Sequence, residues 1–121
     1  MEYKIENAYC ADYETTLIGP QELAPKPICM SLVSKSQGAY LVSNGDKNFR
    51  DYQRGFIEAA YNDPDMFIVF HNSKFDMWVF LRDNMDLFDM VVELYERGQI
   101  LCSILIAKLL NLSTTGRIAT E

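Results

Sequence analysis

Over residues 7–15 apolar and polar positions alternate. Tyr9, Ala11 and Tyr13 fall on one face, and Ala8, Cys10, Asp12 and Glu14 on the other. A period of two with aromatic residues predicts a strand, unusual here for carrying two acids on one face. Gly19-Pro20, Pro25 and Pro27 break the next stretch, so residues 17–27 read as a loop. Residues 28–34 and 39–43 are expected to be short strands, joined by a hairpin turn at Lys35-Ser36-Gln37-Gly38. From Asp46 the period changes: Phe49, Tyr52, Gln53, Phe56, Ile57, Ala60 and Tyr61 recur at helical spacing until Asn62-Asp63-Pro64 stops them. Met66-Phe67-Ile68-Val69-Phe70 is wholly apolar, as in a strand buried on both faces. His71-Asn72-Ser73 leads into a helix carrying Phe75, Trp78, Val79 and Leu81. Residues 86–97 form a third helical stretch, with Leu87, Met90, Val91 and Leu94 on one stripe and Gly98 as its stop. Residues 99–102 give a last short strand, and 103–112 a last helix. The order predicts an α/β fold: a three-stranded meander followed by α/β units, with helices on the faces of the sheet.

Composition narrows the class. With 121 residues, 49% hydrophobic and 23% charged, the chain suits one globular domain spanning 1–121. Cys10, Cys29 and Cys102 are odd in number and form no CxxC pair, which suits reduced, buried thiols rather than bridges or zinc ligands. The first six residues are charged and have no signal-peptide core. Residues 100–110 are apolar but too short to cross a bilayer, and Ser103 and Lys108 interrupt them. A soluble, cytoplasmic protein with no membrane partner is expected. Proteins that hold nucleic acid by phosphate neutralisation alone are usually basic, so at a net charge of −6 such binding would need bound cations.

Two segments carry candidate chemistry. Asp12 and Glu14 are two apart on a strand, roughly 6.6 Å along one face. An isolated DxE usually marks a solvated face, but the flanking Tyr9-Cys10-Ala11 and Tyr13 suggest a central strand, where carboxylates need a compensating cation. In Val69-Phe70-His71-Asn72-Ser73-Lys74-Phe75-Asp76, an apolar strand ends in polar residues and Asp76 falls in the first turn of the next helix. Ligands bind at such strand-to-helix edges. A cap from Asn72 or Ser73, with Asp76 favouring the helix dipole, accounts for the same residues structurally.

Taken together, these segments resemble the DEDD superfamily of 3′–5′ exonucleases. Asp12-Tyr13-Glu14-Thr15 is similar to its first motif, DxE, and His71-Asn72-Ser73-Lys74-Phe75-Asp76 to its second, N-x-x-F/Y-D. The nearest likeness is to the proofreading domain of phage family A DNA polymerases, where FHNxxFD precedes an aliphatic helix, and it extends from about Tyr9 to Leu110. The resemblance implies a ribonuclease H-like mixed sheet, an antiparallel three-strand meander plus parallel strands, flanked by helices. It implies metal-dependent removal of nucleotides from DNA 3′ ends, with RNA not excluded, in the cytoplasm of a bacterial host if phage-derived and beside a polymerase domain in the parent chain. Asp12, Glu14 and Asp76 would be catalytic and would hold two divalent cations, Mg²⁺ or Mn²⁺, about 3.5–4 Å apart. Tyr13, Thr15, Asn72 and Phe75 would contact the terminal nucleotide.

Two departures from the family pattern shape the expectation. Cys102-Ser103 stands where relatives often have Asp-Thr, and no YxxxD or HxxxxD motif follows Leu112. The sequence therefore reads as an exonuclease domain incomplete at its C-terminus, slow or inactive alone, with exposed apolar sheet surface that favours self-association. The competing readings are a catalytically inactive ribonuclease H-like binding or interaction module and an unrelated acidic α/β protein.

Overall fold

The first long strand, β1, covers Ala8–Thr15 and follows a single 3-10 turn at Ile5–Asn7. Ala11 and Tyr13 are buried, while Cys10, Asp12 and Glu14 are exposed; the expectation of buried thiols is corrected, since Cys10 is exposed and Cys29 and Cys102 are half-buried. The computed structural model describes residues 2–17 and 25–116, so most of the loop expected over 17–27 lies outside the described residues. The chain returns as β2 (Pro27–Ser34), turns at Gly38, whose φ of 74° a side chain would strain, and continues as β3 (Gly38–Ser43). Then come α1 (Phe49–Asn62), β4 (Phe67–Phe70), α2 (Ser73–Arg82), α3 (Phe88–Glu96), β5 (Ile100–Cys102) and α4 (Ser103–Thr115). The third helical stretch is thus shorter than its stripe suggests, because Met85–Leu87 form a separate 3-10 turn ahead of α3.

These strands form one mixed sheet in the order β3-β2-β1-β4-β5. The β1–β2 and β2–β3 pairs are antiparallel, and the β1–β4 and β4–β5 pairs are parallel. The meander and the neighbouring β1 and β4 are as the sequence predicts, and the architecture is compatible with a ribonuclease H-like fold. The register shifts between Glu14 and Thr15, which pair with Cys29 and Pro27 and leave Ile28 as an extra residue on β2. Such bulges bend a strand end and re-aim its side chains.

Both crossovers, β3–α1–β4 and β4–α2–α3–β5, join parallel strands and step the same way across the sheet. Right-handed connection therefore puts α1, α2 and α3 on one face. Packing agrees: Ala11, Tyr13, Met30, Leu32, Ile68, Phe70 and Ile100 share one core with Ile57 and Ala60 of α1, Phe80 of α2, and Val91 and Leu94 of α3. On the opposite face Cys10, Asp12, Val33, Ala39 and Leu41 are exposed, and the N-terminal segment covers one end, where the Tyr3 ring meets Phe67 edge-on at 5.0 Å. No residue of α4 is buried.

The stripe on α2 also differs from expectation. Met77, Val79, Phe80 and Leu81 are buried and Phe75 is half-buried, but Trp78 turns outward. A buried amide staples the topology. Gln99 Nε2 donates to the carbonyls of Ala60, Asp63 and Met66, tying the end of α1 and the start of β4 to the chain before β5.

Candidate functional site

The site forms where β1 and β4 end. Pairing between them stops at Ala11 and Phe70, so β1 runs past the end of β4. The Tyr13 backbone N–H donates to the Asp76 carboxylate, which therefore sits against the free edge of β1. Asp76 reaches it from the first turn of α2 and is almost fully buried, at 2% exposure. Its pKa is pushed up to about 7, first by burial and then by the neighbouring Asp12 carboxylate, against the opposing pull of the Tyr13 N–H and His71. A carboxyl group raised in this way, beside a second acid at a strand-to-helix edge, is a functional-site signature.

Asp12 and Glu14 share the open face of the sheet, and both are exposed. β1 is the middle strand, as expected, and its acidic face is solvated, so the structure itself does not require a cation to compensate these two acids. Asp12 acts on Asp76, whereas Glu14 is not among the groups that perturb it. Among the described residues, no three His, Cys, Asp or Glu side chains are grouped so as to hold a metal ion. The structure thus brings Asp12 and Asp76 together, and leaves Glu14 beside Asp12 on the strand without closing a three-acid cluster.

The expected nucleotide-contacting residues divide. Tyr13 lies in the core, and its hydroxyl donates to Gln53 Oε1 at 2.7 Å, so it supports β1 from the face opposite Asp12. Thr15 is half-buried at the strand end, and its Oγ1 donates to the Thr16 carbonyl. Asn72 is exposed and precedes α2, but its side chain makes no capping hydrogen bond. Phe75 is half-buried and packs against the core.

The neighbouring ends of β4 and β5 add groups the sequence reading did not connect. His71 Nδ1 lies 3.0 Å from Ser103 Oγ, and the His71 carbonyl accepts from the Ile104 N–H. Burial pushes the Cys102 thiol up, but hydrogen bonds from the backbone of Ser73, Leu105 and Ile104 and from the Ser73 side chain leave its pKa lowered. The signal for this cluster was available: parallel strands align their C-terminal residues, so Phe70 pairs with Cys102. A scan against models of protein families and a search of curated proteins find no match to the chain.

Proposed function

We propose that the chain belongs to a ribonuclease H-like, metal-dependent 3′–5′ exonuclease domain acting on the 3′ end of single-stranded DNA. One observation carries this reading: where β1 runs past the end of β4, the pKa of the buried Asp76 is raised to about 7 by burial and by the charge of Asp12. Two carboxylates drawn together at that edge suit an oxygen-seeking divalent cation, whose charge would relieve their repulsion. Asp12 and Asp76 would hold such an ion, Mg²⁺ or Mn²⁺, with Glu14 on the same strand face contributing to the cation-attracting field. A bound divalent cation supplies Lewis-acid polarisation of a phosphodiester and activation of water at neutral pH. The chain's own residues position it. The Tyr13 N–H fixes Asp76, the exposed Asp12 would be open to a cation from solvent, and Asn72 would offer an amide to a strand at the same edge. The cation would also let a protein of net charge −6 approach a polyanion.

A second reading has its own support. With no three-acid group among the described residues, a ribonuclease H-like module that binds a strand without cutting it fits the same geometry. A 5′-labelled single-stranded oligonucleotide with Mn²⁺ separates the two. Slow shortening from the 3′ end that disappears in Asp12→Ala is the expected result. Mn²⁺-dependent binding without shortening selects the second reading, and shortening that persists in Asp12→Ala removes the site from the account.

A further inference from the structure

A cleft of about 300 Å³ opens between α1 and the sheet, near the start of β1 and away from the strand end where Asp76 sits. Tyr52, Gly55, Phe56 and Ala59 recur at helical spacing and line it from one face of α1. Tyr9 and Leu32 form the sheet wall, and Gln37, in the turn between β2 and β3, forms the rim. The Tyr9 and Phe56 rings meet edge-on, with centroids 5.8 Å apart and planes at 65°. Gln37 Nε2 donates to the Tyr9 hydroxyl at 3.4 Å. Among the described residues, no charged side chain lines the cleft. Gly55 keeps it open. A glycine inside a helix lowers stability relative to alanine, so it calls for a reason in packing. Here an added Cβ would meet nothing within 4 Å, so no group of the chain itself requires the glycine. The space it leaves belongs to the cleft.

We propose that this cleft binds a free small molecule made of an uncharged aromatic ring with a hydrogen-bonding edge. Size, walls and charge each argue for that class. Small-molecule sites begin at roughly 300 Å³, so the cleft suits one ring system rather than a long ligand. Aromatic rings favour offset or edge-to-face partners, and a ring over Gly55 would join those of Tyr9, Tyr52 and Phe56 without displacing a side chain. The Gln37 amide and the two tyrosine hydroxyls are neutral at pH 7, and they offer donors and acceptors to a ring N–H or ring nitrogen. A charged ligand would lose hydration there and find no counter-charge in the lining. The inference uses neither Asp12 nor Asp76, so it does not depend on the nuclease reading.

The test is a titration of the isotope-labelled full chain with indole, followed through amide chemical shifts, with cyclohexanol and benzoate as controls. Indole should shift the amides of Gln37, Gly55 and Ala59 saturably in the millimolar range and leave that of Asp12 in place. Cyclohexanol, uncharged but not aromatic, and benzoate, aromatic but charged, should each bind about tenfold more weakly or worse. Gly55→Leu should fill the space and abolish binding. Gly55→Ala should raise the melting temperature of the free chain, because the added methyl meets no neighbour. Gln37→Ala changes only an exposed turn residue and should weaken indole about threefold or more, so the test does not rest on Gly55→Leu alone. Shifts that fail to saturate or are absent at several millimolar indole overturn the proposal. So does cyclohexanol binding as tightly as indole, which would mark a merely greasy surface. Shifts centred on Trp78 and Tyr95 instead, or binding that survives Gly55→Leu, overturn it as well.

Discussion

The protonation of Asp76 makes the stability of this fold depend on pH in a direction opposite to most carboxylates. Its pKa is about 7 in the folded chain, against 3.8 for an unperturbed aspartate. Below pH 3.8 both states hold the proton, and above pH 7 neither does. Between the two the folded state binds more protons than the unfolded, so the stability that Asp76 contributes is full at low pH and falls as pH rises. A shift of about three units at ~1.4 kcal/mol each gives a loss of roughly 4 kcal/mol, a large part of the stability of a small domain. Asp76 is 2% exposed as a residue, but its carboxyl lies at an open strand edge, so that loss is an upper bound. Urea unfolding of the wild type and Asp76→Asn from pH 4 to pH 8 isolates the effect, because other titrating groups cancel in the difference. The amide keeps an oxygen for the Tyr13 N–H and carries no charge. Asp76→Asn should therefore gain on the wild type by several kcal/mol as pH rises from 4 to 8. Asp12→Ala should remove only the smaller part of this slope, since burial is the leading cause. A wild-type minus variant difference that stays flat, or a carboxyl resonance of Asp76 that titrates near pH 4, would refute the reasoning.

Other outcomes follow from single contacts. Gln99→Ala removes the buried amide shared among three backbone carbonyls, of which Ala60 and Asp63 keep a backbone donor, and should lower the unfolding free energy by about 1–3 kcal/mol in chemical denaturation. Gly98→Ala puts a Cβ 2.8 Å from the Tyr3 hydroxyl at a φ of 75°, and should cost about 1 kcal/mol by the same measurement, with part recovered in Tyr3→Phe. Tyr13→Phe removes the buried bond to Gln53 and should cost about 1 kcal/mol, but should leave Mn²⁺ binding unchanged because that hydroxyl faces the core.

Where local chemistry decided the structure, the residues could be read directly. The alternation around Tyr9, Ala11 and Tyr13 marked β1, the change of period after Asp46 marked α1, and Gly98 marked the end of the helical stretch before β5. The placement of Asp76 near β1 was also legible, through the neighbouring β1 and β4 and its position in the first turn of the helix that follows β4. What could not be read depended on which sheet face the helices cover. Two same-direction crossovers leave the face of Asp12 bare, so the acids are solvated, and burial rather than mutual repulsion dominates at Asp76. Trp78 was misplaced for a similar reason: a helix docked by one face cannot bury every apolar residue, and α2 uses Met77 and Phe80 instead. The three carbonyl bonds of Gln99 are long-range and have no local pattern to announce them.

The central claim is that Asp12 and Asp76 together receive a divalent cation. Its most direct test is a Mn²⁺ titration of the isotope-labelled chain at pH 8, above the raised pKa of Asp76. Paramagnetic broadening should begin at residues around Asp12, Tyr13 and Asp76, spread outward with occupancy, and vanish in Asp12→Ala while the fold is kept. Broadening that is absent at millimolar Mn²⁺, or that centres elsewhere and survives Asp12→Ala, would contradict the account.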